Sequence, residues 1–455
     1  MQNTGFFRYL NHTFSLRQAL GWTGASLLLA LLGAHFFRAS EYGLVACCCG
    51  VLLLHCGHAR WKRYAVSFFL FWGAIQWGST AFFLAQARMQ AGLPWFRAAL
   101  IVWSVAGITC LGAIALYGSQ SHAGKEDPLA RMKGMVFFCS FWAVHSLASL
   151  SPVPLLLLER FFPRWGEAQI IPLAWYGVFV LTLLLDPKRS RRGRKLVWTF
   201  FSCVFFGQLI LGLLGVEKLL MTGNLHIPVP GFIVFGPVFR GTPGMMLALA
   251  LAAALLVGSA WCSMLCYFGP LDAAVAGSRP VRPLPPLLRR AARHGRLLVL
   301  ALGAAVALTL RMAELPLEAA LAASALFVGA SLLCMALLSR KYGGMEHCTA
   351  FCPMGIVVST LGKLSPWRIR VAPEKCDNCG ACENVCRYRA ISATSRVQGK
   401  TDFGCSLCMD CIAVCKNRAL ALRAMGLPLS AATARSIFVL LLVTVHIVFL
   451  AFARV

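Results

Sequence analysis

The sequence predicts an all-α polytopic membrane protein of about eleven transmembrane helices, with a small cysteine-rich α+β module inserted before the last helix. Three observations predict it. Hydrophobic residues make up 59% of the 455 residues and charged residues only 13%, about half the charged share of a soluble domain. The apolar residues gather in long runs, at roughly 20–37, 43–58, 64–85, 97–117, 134–151, 169–185, 196–215, 244–265, 296–312, 317–338 and 436–453. Eight of the 20 cysteines fall in two closely similar runs between the last two of these segments.

The basic residues set the orientation. The net charge of +27 is concentrated in short loops, so it reads as positive-inside topology rather than a nucleic-acid surface. Residues 58–63, Lys125–Lys133, Lys188–Lys195, Arg279–Arg296 and Arg340–Lys341 follow the second, fourth, sixth, eighth and tenth runs. They share one side if the N-terminus is cytoplasmic. The module is then cytoplasmic, and the C-terminus faces the periplasm across a bacterial inner membrane. The first run lacks an A-x-A cleavage site and reads as a signal anchor. Four regions are expected: six spans over 1–195, a four-span core over 196–365, the module over 366–426, and a last helix over 427–455.

The module carries the chemistry. Cys376, Cys379, Cys382 and Cys386 stand in CDNCGACENVC, and Cys405, Cys408, Cys411 and Cys415 in CSLCMDCIAVC. Both runs are C-x2-C-x2-C-x3-C, the spacing that wraps three thiolates around a [4Fe–4S] cube and sends the fourth to the other cube. One cluster should take Cys376, Cys379, Cys382 and Cys415, the other Cys405, Cys408, Cys411 and Cys386. A structural zinc site favours separate C-x2-C pairs instead. The insert therefore reads as a bacterial 2[4Fe–4S] ferredoxin module, and the chain as a one-electron carrier. Its basic surface, which includes Arg368, Arg370, Lys375, Arg387 and Lys416, suits anionic headgroups or an acidic redox partner.

A second constellation lies where the eighth and tenth runs end. WCSMLCYFG and HCTAFCPMG each hold C-x3-C, and residues i and i+4 share a helix face. Cys262, Cys266, Cys348 and Cys352 are thus a candidate third redox or soft-metal site. Cys47, Cys48 and Cys49 diverge by about 100° per residue and are expected to pack rather than chelate. The stretch 221–244 holds Pro228, Pro230 and Pro237. Prolines break helices, so it is expected to re-enter or lie at the interface. His226 and Arg240 in it are candidates for a quinone headgroup. Haem b would need facing imidazoles, and no spacing among His35, His55, His58, His145 and His446 enforces a pair.

With these motifs in hand, the chain resembles the membrane-bound polyferredoxins of the NapH and NosR type, and the related CcoG type. These have several spans, two C-x3-C-P motifs and two cytoplasmic [4Fe–4S] runs in this order. The resemblance covers about residues 196–425. It implies electron transfer between the quinone (menaquinone) pool and partner redox proteins, such as a periplasmic cytochrome c or a cytoplasmic ferredoxin-type donor or acceptor, within a respiratory complex. Copper handling or metalloenzyme maturation is the alternative the CcoG likeness implies, and a structural subunit of a larger respiratory complex is another. The six preceding spans are not explained by it, and Tyr267, Arg387 and Lys416 stand where the pattern has proline.

Overall fold

The computed structural model describes residues 16–54, 60–118, 127–151, 153–220 and 229–452. His226, His55, His58 and Cys56 lie outside the described residues. The chain forms two compact units, Met1–Phe179 and Val180–Val455.

Among the described residues, helices lie in every apolar run. Eight described helical segments are long and apolar enough to cross a membrane: Trp61–Gln90, Phe96–Gly118, Gly166–Leu185, Ser190–Leu213, Met245–Leu265, Pro286–Met312, Leu317–Tyr342 and Ala431–Ala451. Leu16–Arg38 and Pro128–Ser149 are further long helices of 23 and 22 residues. Tyr42–Leu53 has 12 residues, about 18 Å at 1.5 Å per residue, short of the roughly 30 Å hydrocarbon layer. The chain is a multi-pass membrane protein.

In the first unit, Trp61–Gln90 is the helix on which Phe96–Gly118 and Pro128–Ser149 pack. The approach is close at Gly134, where a Cβ would lie 2.3 Å from that of Tyr64. Asp127 caps Pro128–Ser149 by accepting from the N–H groups of Leu129 and Ala130. His145 lies parallel to Phe141 and edge-on to Trp72. His35 pairs with the Thr80 hydroxyl at 3.3 Å and packs on Trp77. Cys47 and Cys48 are buried while Cys49 is exposed, as the angular divergence requires.

The second unit holds both cysteine constellations. Pro286–Met312 buries only Ala307 and turns Leu298, Leu302 and Leu308 outward, as a lipid-facing helix does. One expectation is corrected here. Pro237 does not prevent a helix, because Phe232–Arg240 is a nine-residue helix with Pro237 inside it. Proline forfeits one intrahelical bond and crowds the carbonyl four residues back, a cost a two-turn segment absorbs near its end. Gly241, at φ 74°, then closes the helix by donating to Pro237 O.

The module is built on two antiparallel strands, Trp367–Val371 and Leu420–Ala424, with Ile369 opposite Leu422. Alternate residues of each strand are buried. Trp367 fastens this sheet to the membrane helices, donating from Nε1 to Leu256 O at 2.8 Å and packing its ring on Phe438.

Candidate redox centres

The two cysteine runs of the module adopt one backbone course twice. Left-handed φ values recur at Asn378 and Leu407, at Gly380 and Met409, and at Arg389 and Arg418, each pair at the offset that separates Cys376 from Cys405. Non-glycine residues pay for this conformation, and here it curls the chain around each cysteine run. Ala390 N–H donates to Cys386 Sγ at 3.2 Å, and Ala419 N–H donates to Cys415 Sγ at 3.3 Å. N–H donors to sulfur favour the thiolate form and tune a cluster's potential.

Cys386 stands with the opposite run. Cys386, Cys405, Cys408 and Cys411 line one small cavity. Burial first, and then the Cys408 thiol, push Cys386 up to about 12. Burial and the thiols of Cys408, Cys405, Cys386 and Cys382 push Cys411 well up. Thiols crowded in this way ionise together only against a cation, and iron supplies that charge. The donor set fits a cubane. In the other run Cys379 is exposed, and Cys376 and Cys415 are half-buried.

The paired C-x3-C motifs share a backbone device that is not an α-helical face. Trp261–Leu265 and His347–Phe351 are both π-helical turns. Each ends on an extended cysteine, Cys266 (ψ 114°) and Cys352 (ψ 117°), whose N–H reaches back five residues to Trp261 O and His347 O. The π-turn widens the helix and is frequent at functional sites. It brings the cysteines together: Cys262, Cys266 and Cys352 all act electrostatically on Cys348. Burial, the Asp272 carboxylate and these thiols push Cys348 well above its usual range.

Two residues at this site were not singled out from sequence. Asp272, on Gly269–Ala276, and His347 are fully buried. Asp272 Oδ2 accepts from Cys348 N–H at 3.0 Å, and burial pushes its carboxyl up to about 6. Burial holds His347 down to about 3. Among the described residues, Asp272, His347 and Cys348 are the group whose ligand atoms all lie within 4.8 Å of one another. The sequence signal was the histidine directly before Cys348 in an apolar stretch, since a buried ionisable residue marks function.

The module and the paired motifs are joined by a buried seam. Trp198, Met345 and Tyr388 form a core against which Cys262, Cys348 and Cys386 pack. Tyr388 donates its hydroxyl to Cys262 O at 3.0 Å, and Trp198 Nε1 donates to Cys266 O at 2.8 Å. Arg194 grips Asp410, between Met409 and Cys411, and donates to Ser263 O. The Ser259 and Ser263 hydroxyls donate to Cys405 O and Ser406 O. Arg389 closes on Glu346 at 2.6 Å. Arg387, which stands where the pattern has proline, donates to Gly343 O and Arg279 O. The run Cys405–Cys411 thus rests on the membrane helices.

An apolar cavity of about 470 Å³ opens between Phe232–Arg240, Pro286–Met312 and Leu317–Cys334. Phe232, Phe235, Phe239 and Phe327 line it, and so does Phe351, which precedes Cys352. Phe351 stacks on Phe327 and also meets the His347 ring. Arg240 closes the helix whose aromatic face lines the cavity. His446 packs on Phe201 within the second unit.

Comparison with known proteins agrees with the module. Residues 369–392 match the 4Fe-4S binding domain family. Over 216 residues, 46% of this chain and 82% of the relative, the chain is 25% identical to an uncharacterized protein of Methanocaldococcus jannaschii. It is also 35% identical over 68 residues to a protein of Escherichia coli (strain K12) provisionally named electron transport protein YccM, a match spanning 15% of this chain and 18% of that one. No solved structure matches. The module is a 4Fe-4S binding domain for at least one [4Fe–4S] cluster, carried by a chain with several helices able to cross a membrane.

Proposed function

We propose that this chain conducts electrons between the membrane quinone pool and a soluble redox partner, in the manner of the NapH and NosR type. Two [4Fe–4S] clusters form the outer part of the path, the inner one on Cys405, Cys408, Cys411 and Cys386 and the outer one on Cys376, Cys379, Cys382 and Cys415. A third centre at the paired C-x3-C motifs, around Cys262, Cys266, Cys348 and Cys352, stands between the inner cluster and the lipid-embedded helices. Quinol, losing two electrons and two protons, is read into the aromatic cavity beside Phe351, whose size and apolar lining suit a ring and the start of an isoprenoid tail. The module is assigned to the cytoplasmic side by its basic loops, and cytochrome c-type or ferredoxin-type proteins are its expected partners.

One observation carries this reading. The core of Trp198, Met345 and Tyr388 touches cysteines of both constellations, so one buried core adjoins both sets of sulfurs. The test uses the full-length protein in proteoliposomes under anaerobic conditions. A reduced menaquinol analogue should bleach the cubane absorbance, and Cys348→Ser should abolish that reaction while dithionite still bleaches the variant. Unchanged quinol reduction in Cys348→Ser would remove the third centre from the path. No reduction of the intact protein by quinol or of quinone by the reduced protein would remove the quinone link.

A second reading, a metal-handling reductase, draws on the close grouping of Asp272, His347 and Cys348. It requires the metal at the paired motifs to exchange during turnover. Retention of the bound metal through repeated reduction and oxidation opposes it.

A further inference from the structure

We infer that the centre at the paired motifs is a single transition-metal ion held by Asp272, His347 and Cys348, rather than a site built from the four motif cysteines alone. This refines the third centre proposed above and rests on that reading for its place in the path, but not for its chemistry. Both ring nitrogens of His347 lack a hydrogen-bond partner, as does Asp272 Oδ1, and the two residues are 1% and 0% exposed. Buried polar atoms in native proteins almost always have partners, and one ion beside the Cys348 thiol would satisfy Asp272 Oδ1 and one of the two His347 ring nitrogens. The two side chains flank Cys348, whose own N–H fixes the carboxylate through Oδ2, leaving Oδ1 to bind.

Spacing favours a single ion at these three residues. Four thiolates around one ion at about 2.3 Å stand about 3.8 Å apart. The Asp272, His347 and Cys348 ligand atoms all lie within 4.8 Å of one another, the spacing one ion can bridge. Cys352 is the thiol that acts most strongly on Cys348. Imidazole, carboxylate and thiolate together suit a borderline divalent first-row ion of the iron(II) or zinc(II) class better than copper(I), which prefers an all-sulfur shell. Between an electron donor and a cubane, the redox-active member, iron(II), is the expected occupant.

The experiment uses the intact chain in detergent, cubanes in place, after mild chelation, with Co(II) as the probe. One cobalt should bind per chain. Its X-ray absorption should show one or two sulfurs together with nitrogen and oxygen neighbours. Asp272→Asn, which preserves size, and His347→Ala should each weaken cobalt binding at least tenfold. The cubane EPR signals of both variants, unchanged, report that the chain has folded. A four-sulfur shell, an absence of cobalt binding, or cobalt binding unchanged in both variants overturns the inference. Quinol reduction is measured on the same preparations. A mixed-ligand cobalt shell in a protein that quinol cannot reduce would leave this site standing and sink the electron path instead.

Discussion

Arg194 and Asp410, 216 residues apart in sequence, form a two-pronged buried ion pair, with Nε 3.1 Å from Oδ1 and Nη2 2.7 Å from Oδ2. Their side chains are 8% and 6% exposed. Arg194 belongs to a helix able to span the membrane and Asp410 to the second cysteine run, so this pair fixes one against the other. The Arg194 guanidinium also lies over Trp198. It therefore grips the ion-pair partner and the aromatic seam together.

Removing one partner should be costly. Arg194→Ala leaves Asp410 buried without a counter-charge, and a loss of about 3–5 kcal/mol is expected. The paired change Arg194→Met with Asp410→Leu should cost less than either single change, because no charge is stranded. Thermal denaturation of the three variants in one detergent checks this. A double variant less stable than both singles would contradict it.

Crossed ligation gives opposite outcomes for two similar changes. Cys386→Ser should destroy the inner cluster and spare the outer one, whereas Cys415→Ser should do the reverse. EPR of the reduced variants, with the loss of spin–spin coupling between the cubanes, reads this directly. If Cys386→Ser instead removes the signal of the cluster on Cys376, Cys379 and Cys382, each run ligates its own cube.

Tyr388 should matter for rate more than for stability. Tyr388→Phe loses one hydrogen bond, to Cys262 O, at a cost of about 1 kcal/mol, and keeps the ring in the seam. Tyr388→Ala opens a cavity, costing about 3–5 kcal/mol, and should slow the quinol-driven reduction of the cubanes well beyond the effect of Tyr388→Phe. Stopped-flow absorbance compares them. Equal rates in both would take Tyr388 out of the path.

Filling the aromatic cavity should block the quinone without touching the clusters. Ala323 lines it, and Ala323→Trp should raise the KM for the quinol analogue at least tenfold while dithionite reduction is unchanged. A normal KM would place the quinone elsewhere.

Orientation is open to a direct measurement. Reporter fusions at Gly426 and at the C-terminus should report opposite sides, because the helix Ala431–Ala451 separates them. The same side at both would oblige the last helix to lie on the membrane rather than cross it.

The cysteine spacing was legible because cluster ligation is local: eight sulfurs within 40 residues leave little freedom. Helix positions were legible for the same reason, since apolar runs declare themselves one at a time. What sequence could not carry was pairing at a distance. Nothing near Arg194 announces Asp410, and nothing in the segment after Cys266 distinguishes Asp272 from a surface acid until Cys348 is folded against it. The π-turns were misread as α-helical faces because C-x3-C fits both periods. His347 stands out only once the fold buries it beside Asp272 and Cys348. Pro237 was overweighted as a breaker because the cost of one lost hydrogen bond was set against a full span, not a nine-residue helix.

The uneven burial of the two cysteine runs bears on damage. Cys379 lies open to solvent while Cys411 is sealed, so dioxygen and peroxide reach the outer cube first. In the two-cluster arrangement proposed above, a chain exposed to oxidants should then lose the cube on Cys376, Cys379 and Cys382 before the one on Cys405, Cys408 and Cys411. The outer cube would serve as a fuse, and its rebuilding, needing access only from the aqueous side, could restore the path without dismantling the membrane portion.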